Sequence, residues 1–132
     1  MSETIQEARS LIVVGYSSRP EGRAALRRAL SEARLRGAGL VVVNTSREPE
    51  TDGLTAELAA SGITYEIRTP ADVHDSAEEL IRTAETTDAD FIVIGLRRRS
   101  PVGKLLLGSN AQRVLLDAAC PVLAVKAEPG AD

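Results

Sequence analysis

Four apolar runs punctuate the chain without alternation: Leu11 to Tyr16 (LIVVGY), Leu40 to Val43 (LVVV), Phe91 to Ile94 (FIVI) and Pro121 to Val125 (PVLAV). A strand with one wet face alternates apolar and polar residues, whereas a strand covered on both faces has no polar position to spare. The runs therefore predict parallel strands lying between two layers of helix. A fifth run, Ile63 to Arg68 (ITYEIR), does alternate and predicts an edge strand with one solvated face. Helical periods fill the gaps. From Pro20 to Arg36, Ala24, Ala25, Leu26, Ala29, Leu30, Ala33 and Leu35 recur at three- and four-residue spacing opposite Arg23, Arg27, Arg28, Glu32, Arg34 and Arg36. The sequence Ser18-Arg-Pro-Glu21 reads as a capping box with proline in the first turn, and Gly37 as the stop. Shorter helices are expected from about Gly53 to Ala60, ended by Gly62, and from about Asp75 to Thr86, opened by Asp75-Ser-Ala-Glu78. The last runs from Asn110 to Ala119, opened by a box at Ser109-Asn-Ala-Gln112 and stopped by Pro121.

Strand and helix thus alternate strictly, with short connections. Right-handed crossovers then give an α/β fold: one doubly wound, five-stranded parallel sheet in the order 3-2-1-4-5, with helices on both faces. A chain of 132 residues supports one such domain, placed at 10–127, with flexible segments at 1–9 and 128–132. The polar stretch Ser46 to Asp52 (SREPETD) is expected to be mobile.

Composition narrows the function classes. Tyr16, Tyr65 and Phe91 are the only aromatic residues, so the core must be Val, Leu, Ile and Ala, and a stacking platform for flavin or single-stranded nucleic acid is excluded. A net charge of −3 gives no general attraction to nucleic acid or anionic lipid. No stretch approaches the roughly 18 apolar residues of a membrane span, and 1–10 has no apolar run of the secretory kind. With a lone Cys120 there is no internal disulfide, and the expected compartment is the reducing cytoplasm.

In an open parallel sheet, ligands bind beyond the carboxyl ends of the strands where strand order reverses, here between the first and fourth strands. The segments to inspect are Gly15 to Ser18, Asn44 to Ser46 and Gly95 to Ser109 (GLRRRSPVGKLLLGS). The last carries glycines, Arg97, Arg98, Arg99 and Lys104, and ends at a helix N-terminus, a combination suited to a small phosphate ligand. It is not a P-loop, because Leu105 follows Gly103-Lys104 where Ser or Thr is required, and no G-x-G-x-x-G follows the first strand. His74, the only histidine, sits with Asp72 and Asp75 in a polar surface approach to the third helix. Cys120 reads as a small buried residue, and Leu105 to Leu107 as cover for apolar surface. No nucleophile, base and orienting group can be assembled, so no catalytic residue is assigned.

The same loop resembles the signature G-x2-G-x9-G-[ST] of the universal stress protein family. Gly95, then Arg98, then Gly108-Ser109 fall at its spacing, followed by Cys120-Pro-Val-Leu-Ala-Val-Lys126 as the last strand; Ile12-Val-Val-Gly-Tyr16 with Pro20 to Leu26 extends the likeness to the first strand. The resemblance implies the adenine nucleotide alpha hydrolase-like fold and a homodimer formed through the last strand, Val122 to Val125. It also implies binding of ATP or another adenine nucleotide in the stress response. Phosphates would lie at Gly95, Arg98, Gly108, Ser109 and Asn110, adenine near Asn44, and ribose along Gly15, Tyr16 and Ser17. Arg98 stands at the family's second glycine and Ser17 at a position commonly aspartate; lacking that carboxylate, the site is expected to hold no metal. The first alternative under the same resemblance is a dimeric stress or interaction protein that needs no nucleotide, and after it an enzyme that hydrolyses ATP, which without a dedicated base for water should be slow.

Overall fold

A computed structural model describes residues 10–46, 52–71, 75–99 and 104–127, with side chains at all of these except 52, 98, 99 and 104–106. The expected terminal segments 1–9 and 128–132, most of the SREPETD stretch, and Asp72 and His74 lie outside the described residues.

The elements in chain order are β1 (Leu11–Tyr16), α1 (Pro20–Arg36), β2 (Gly39–Asn44), α2 (Asp52–Ser61), β3 (Tyr65–Arg68), α3 (Ser76–Thr87), β4 (Phe91–Arg99), β5 (Lys104–Leu106), α4 (Ser109–Asp117) and β6 (Val122–Lys126). Five strands run parallel in the order β3-β2-β1-β4-β6, the arrangement expected from the alternation, with β6 as the fifth parallel strand. One strand was not anticipated. Beyond Leu96, β4 continues to Arg99 and pairs antiparallel with β5, matching Arg97 to Leu106, Arg98 to Leu105 and Arg99 to Lys104. Part of the segment expected as a loop is therefore a backbone-paired arm.

The continuous apolar runs do serve both faces. Ile12, Val14, Leu40, Val42 and Val93 pack with Ala25, Leu26, Ala29 and Leu30 of α1 and Leu54 and Leu58 of α2. Their strand neighbours Val13, Val41, Val43, Ile92 and Ile94 pack on the other side with Ala77, Leu80 and Ala84 of α3 and Val114 of α4. Strand residues of opposite parity thus lie in separate cores, which is why β1 and β2 tolerate almost no polar residue. The edges behave differently. All four residues of β3 are half-buried rather than alternating, and in β6, paired only to β4, Ala124 and Lys126 are exposed while Val122, Leu123 and Val125 are half-buried.

None of the three expected side-chain caps forms. At α1 the N-cap is Arg19, with Pro20 as the first helical residue, and Ser18 instead donates its amide to Ser46 Oγ at 3.1 Å. Asp75 caps α3 without a side-chain bond, and α4 begins a residue early, on Gly108, which has no side chain to offer. That helix also ends at Asp117 rather than Ala119, because the residues before Pro121 are already leaving helical geometry. The C-terminal stops are as expected at Gly37 (φ 63°) and Gly62 (φ 76°), and α3 adds one at Asp88 (φ 53°), a residue type that tolerates the left-handed region.

Candidate functional site

The carboxyl ends of β1 and β4 and the turn that follows β2 open into a cleft of about 670 Å³, within the range of small-molecule sites. Its position is fixed by backbone lacing between neighbouring loops. Thr45 donates both its amide (2.8 Å) and its hydroxyl (2.9 Å) to the Tyr16 carbonyl, and Ser46 holds the amide of Ser18. Asn44 is 1% exposed and accepts the Ser46 amide at 3.0 Å through Oδ1, so the β2 end is held from beneath the surface. Its Nδ2 is buried without a partner among the described residues.

Two glycines shape the cleft by what they lack. A Cβ on Gly22 would lie 2.2 Å from Ser17 Oγ and 2.3 Å from its backbone nitrogen, and one on Gly95 would lie 2.0 Å from the Glu21 carbonyl oxygen. The first turn of α1 therefore rests directly on the β1 loop and on β4. Gly108 is different: nothing lies within 4 Å of the Cβ it lacks, and it stands exposed at the start of α4. Beside it is a second cleft of about 480 Å³, which shares Glu21, Gly95, Arg97, Ser109, Asn110 and Ala111 with the first.

The chemistry at this junction suits an anion. With a glycine N-cap and no side-chain cap, α4 leaves its first-turn N–H groups available beside the exposed guanidinium-bearing residue Arg97. Hydroxyls of Ser17, Ser18, Thr45, Ser46, Ser76 and Ser109 come from residues lining the larger cleft, with Leu80, Ile94 and Val114 as its apolar surface. No ring is among the lining residues, so a purine would rest on aliphatic carbon and backbone. Hydrogen bonds from Arg28 and Arg36 hold the Glu32 carboxyl below its ordinary range, and burial pushes the Cys120 thiol up. Cys120 itself is half-buried, less enclosed than its sequence context suggested. Among the described residues no group of three or more His, Cys, Asp or Glu converges as a metal site.

Of the residues picked from sequence, Gly15, Ser17, Gly95, Ser109 and Asn110 line the larger cleft, and Gly108 lines the smaller. Tyr16 and Asn44 are not lining residues; Tyr16 packs against the α1 and α2 core and Asn44 supports the adjacent turn. The backbone of Arg98 pairs with Leu105, and its side chain lies outside the described portion. Sequence reasoning missed Glu21, Gly22 and Ser76. A glycine in the first turn of a helix, where it weakens the element, was the available signal for Gly22.

A model of the universal stress protein family matches residues 53–126. The chain is 47% identical over 127 residues to a universal stress protein of Mycolicibacterium smegmatis, spanning 88% of this chain and 97% of that one. Among solved structures, it is similar to a universal stress protein from Archaeoglobus fulgidus at 34% identity and a TM-score of 0.66, covering 89% of this chain and 98% of that one. A universal stress protein from the same organism, solved in complex with dAMP, is 29% identical with a TM-score of 0.62, again covering 89% and 98%.

Proposed function

The chain belongs to the universal stress protein family, and from that premise we propose that it binds an adenine nucleotide in the cleft beyond β1 and β4 and serves as a nucleotide-responsive module of the stress response. The observation that carries this reading is the α4 N-terminus. Its glycine cap, open first-turn amides and neighbouring Arg97 border a cleft large enough for a nucleoside, and anions are stabilised at such a helix end. The phosphate sits at Ser109, Asn110 and Ala111, the nucleoside extends toward Thr45 and Ser17, and Asn44 fixes the turn that meets the base. A relative of this family has been solved with dAMP, which supports the same ligand class here. No residue in the cleft is assigned a catalytic part.

The working unit is a homodimer in the cytoplasm, joined through β6. That strand is paired on one side only, and its Val122, Leu123 and Val125 remain half-exposed, an unprotected apolar edge of the kind that pairs with another chain. Sedimentation at micromolar concentration should give a dimer, converted to monomer by Leu123→Glu.

Thermal unfolding with and without AMP or ATP tests the ligand. At 100 times Kd, mass action adds about 2.7 kcal/mol of stability. The shift should vanish in Gly108→Val, whose side chain enters the open space at the mouth of the smaller cleft. An unshifted melt at millimolar nucleotide, together with no nucleotide released on heat denaturation, would leave the nucleotide-independent alternative standing.

A further inference from the structure

The charges inside the cleft are not all of one sign. Arg19 and Arg97 line it, and so does Glu21, which also lines the second cleft and marks the junction of the two. Elsewhere the carboxylates of Glu32, Glu66, Glu78 and Glu79 are each paired with an arginine. Glu21 has no ion-pair partner among the described residues, although two arginines line the same cleft. It stands in the first turn of α1, at the positive end of that helix's dipole. The residue is also held in position, since its carbonyl and Cβ lie against Gly95 of β4. A carboxylate without an ion-pair partner among the described residues, carried on an anchored backbone beside an anion cradle, works against anion binding wherever phosphate charge accumulates next to it.

Resting on the nucleotide-binding reading, we propose that Glu21 determines which nucleotides the cleft accepts, favouring a single phosphate over a polyphosphate chain. The larger cleft, with Ser17, Thr45 and Ser109, holds the nucleoside and its first phosphate. Glu21 lines both clefts, so each further phosphate at the α4 N-terminus adds charge beside the same carboxylate. A terminal phosphate carries roughly −1.5 to −2 charges at neutral pH, and each additional phosphate in the chain adds another. Like charges a few ångströms apart at the dielectric of a protein surface repel strongly enough to change affinity on the order of tenfold or more. A nucleoside monophosphate brings the least of that conflict to the α4 amides and Arg97, and metal-free ATP brings the most. A divalent cation accompanying the triphosphate would screen Glu21 and lift the discrimination.

The test is isothermal titration calorimetry of AMP, metal-free ATP and magnesium-ATP into the intact protein and into Glu21→Gln, which keeps the shape and removes the charge. The wild type should bind AMP more tightly than metal-free ATP, and magnesium should narrow the gap. In Glu21→Gln the ratio of ATP to AMP affinity should rise on the order of tenfold without metal and lose its magnesium dependence. Glu21→Ala should move the ratio in the same direction, and a matched thermal melt separates this from a folding defect. An unchanged ratio in both variants, with nucleotide still bound, would overturn the role of Glu21 and leave the binding reading intact. Absence of binding by all three proteins would overturn both.

Discussion

Gly95 and Gly108 stand thirteen residues apart in one motif, yet alanine should affect them in opposite ways. At Gly95 the added methyl would lie 2.0 Å from the Glu21 carbonyl oxygen and 2.5 Å from its carbonyl carbon. These are backbone atoms, so no rotamer relieves the overlap. Reaching even a close 3.4 Å contact requires α1 and β4 to separate by about 1.4 Å. Overpacking of this kind costs about 1–3 kcal/mol. For a domain of 132 residues that lowers Tm by roughly 4–12 °C. The same separation would widen the junction between the two clefts, so nucleotide affinity should fall as well. At Gly108 the methyl meets nothing within 4 Å, and φ of −65° suits any residue. Loss of a favourable N-cap is offset by a less flexible unfolded chain, leaving stability within about 0.5 kcal/mol of wild type. Urea denaturation followed by circular dichroism reads both variants. A Gly95→Ala protein as stable as wild type would refute the close approach of α1 to β4 on which the shape of the cleft depends, and a Gly108→Ala protein destabilised by more than about 1 kcal/mol would refute the open space at the start of α4.

Three further outcomes follow from the packing and charge. Leu58 is fully buried between α2 and the sheet, and Leu58→Ala should cost about 2–5 kcal/mol in the same denaturation experiment; a loss under 1 kcal/mol would show that α2 is not docked as described. The Glu32 carboxyl is held low by Arg28 and Arg36, so its contribution to stability is present above the ordinary value of 4.5 and disappears as pH falls through its lowered one. The Tm difference between wild type and Glu32→Gln should therefore be constant from pH 7 to pH 5 and close below pH 4.5; a gap that persists at pH 2 would contradict the assignment. Burial raises the Cys120 thiol, and alkylation by iodoacetamide at pH 8.5 should be slower in the folded protein than in urea, with equal rates as the contrary result.

The interior strands could be read from sequence because the requirement they meet is simple. Val13 and Val14 face different cores, and both must be apolar, so burial on two faces writes itself as a continuous run. The same logic fails at β6, where PVLAV has the composition of a buried strand but pairs on one side only; composition reports a residue's preference, not whether a neighbour arrives to satisfy it. Capping signals misled for a related reason. Ser18 and Ser109 have the right side chains, but the tertiary structure starts α1 after Arg19 and α4 on Gly108, and a one-residue change of entry removes the bond. The β4 to β5 pairing was hidden because glycines and arginines ahead of a helix N-terminus suggested a phosphate-binding loop rather than a strand. At the site, residues of the loops picked from sequence line the two clefts. Gly95 has in addition a packing reason to lack a side chain, since it admits the Glu21 backbone, and the sequence reading passed over Glu21, which joins the site only once α1 lies against β4.

The central claim is that an adenine nucleotide occupies this cleft, and amide chemical shifts during titration of the isotopically labelled protein with AMP test it most directly. The amides of Ser17, Thr45, Ser46, Ser109, Asn110 and Ala111 should shift together and saturate at one common Kd, while those of α2, which contributes no lining residue to either cleft, stay still. Unmoved amides at millimolar AMP and ATP, or a saturable response confined to residues away from the α4 N-terminus, would contradict it.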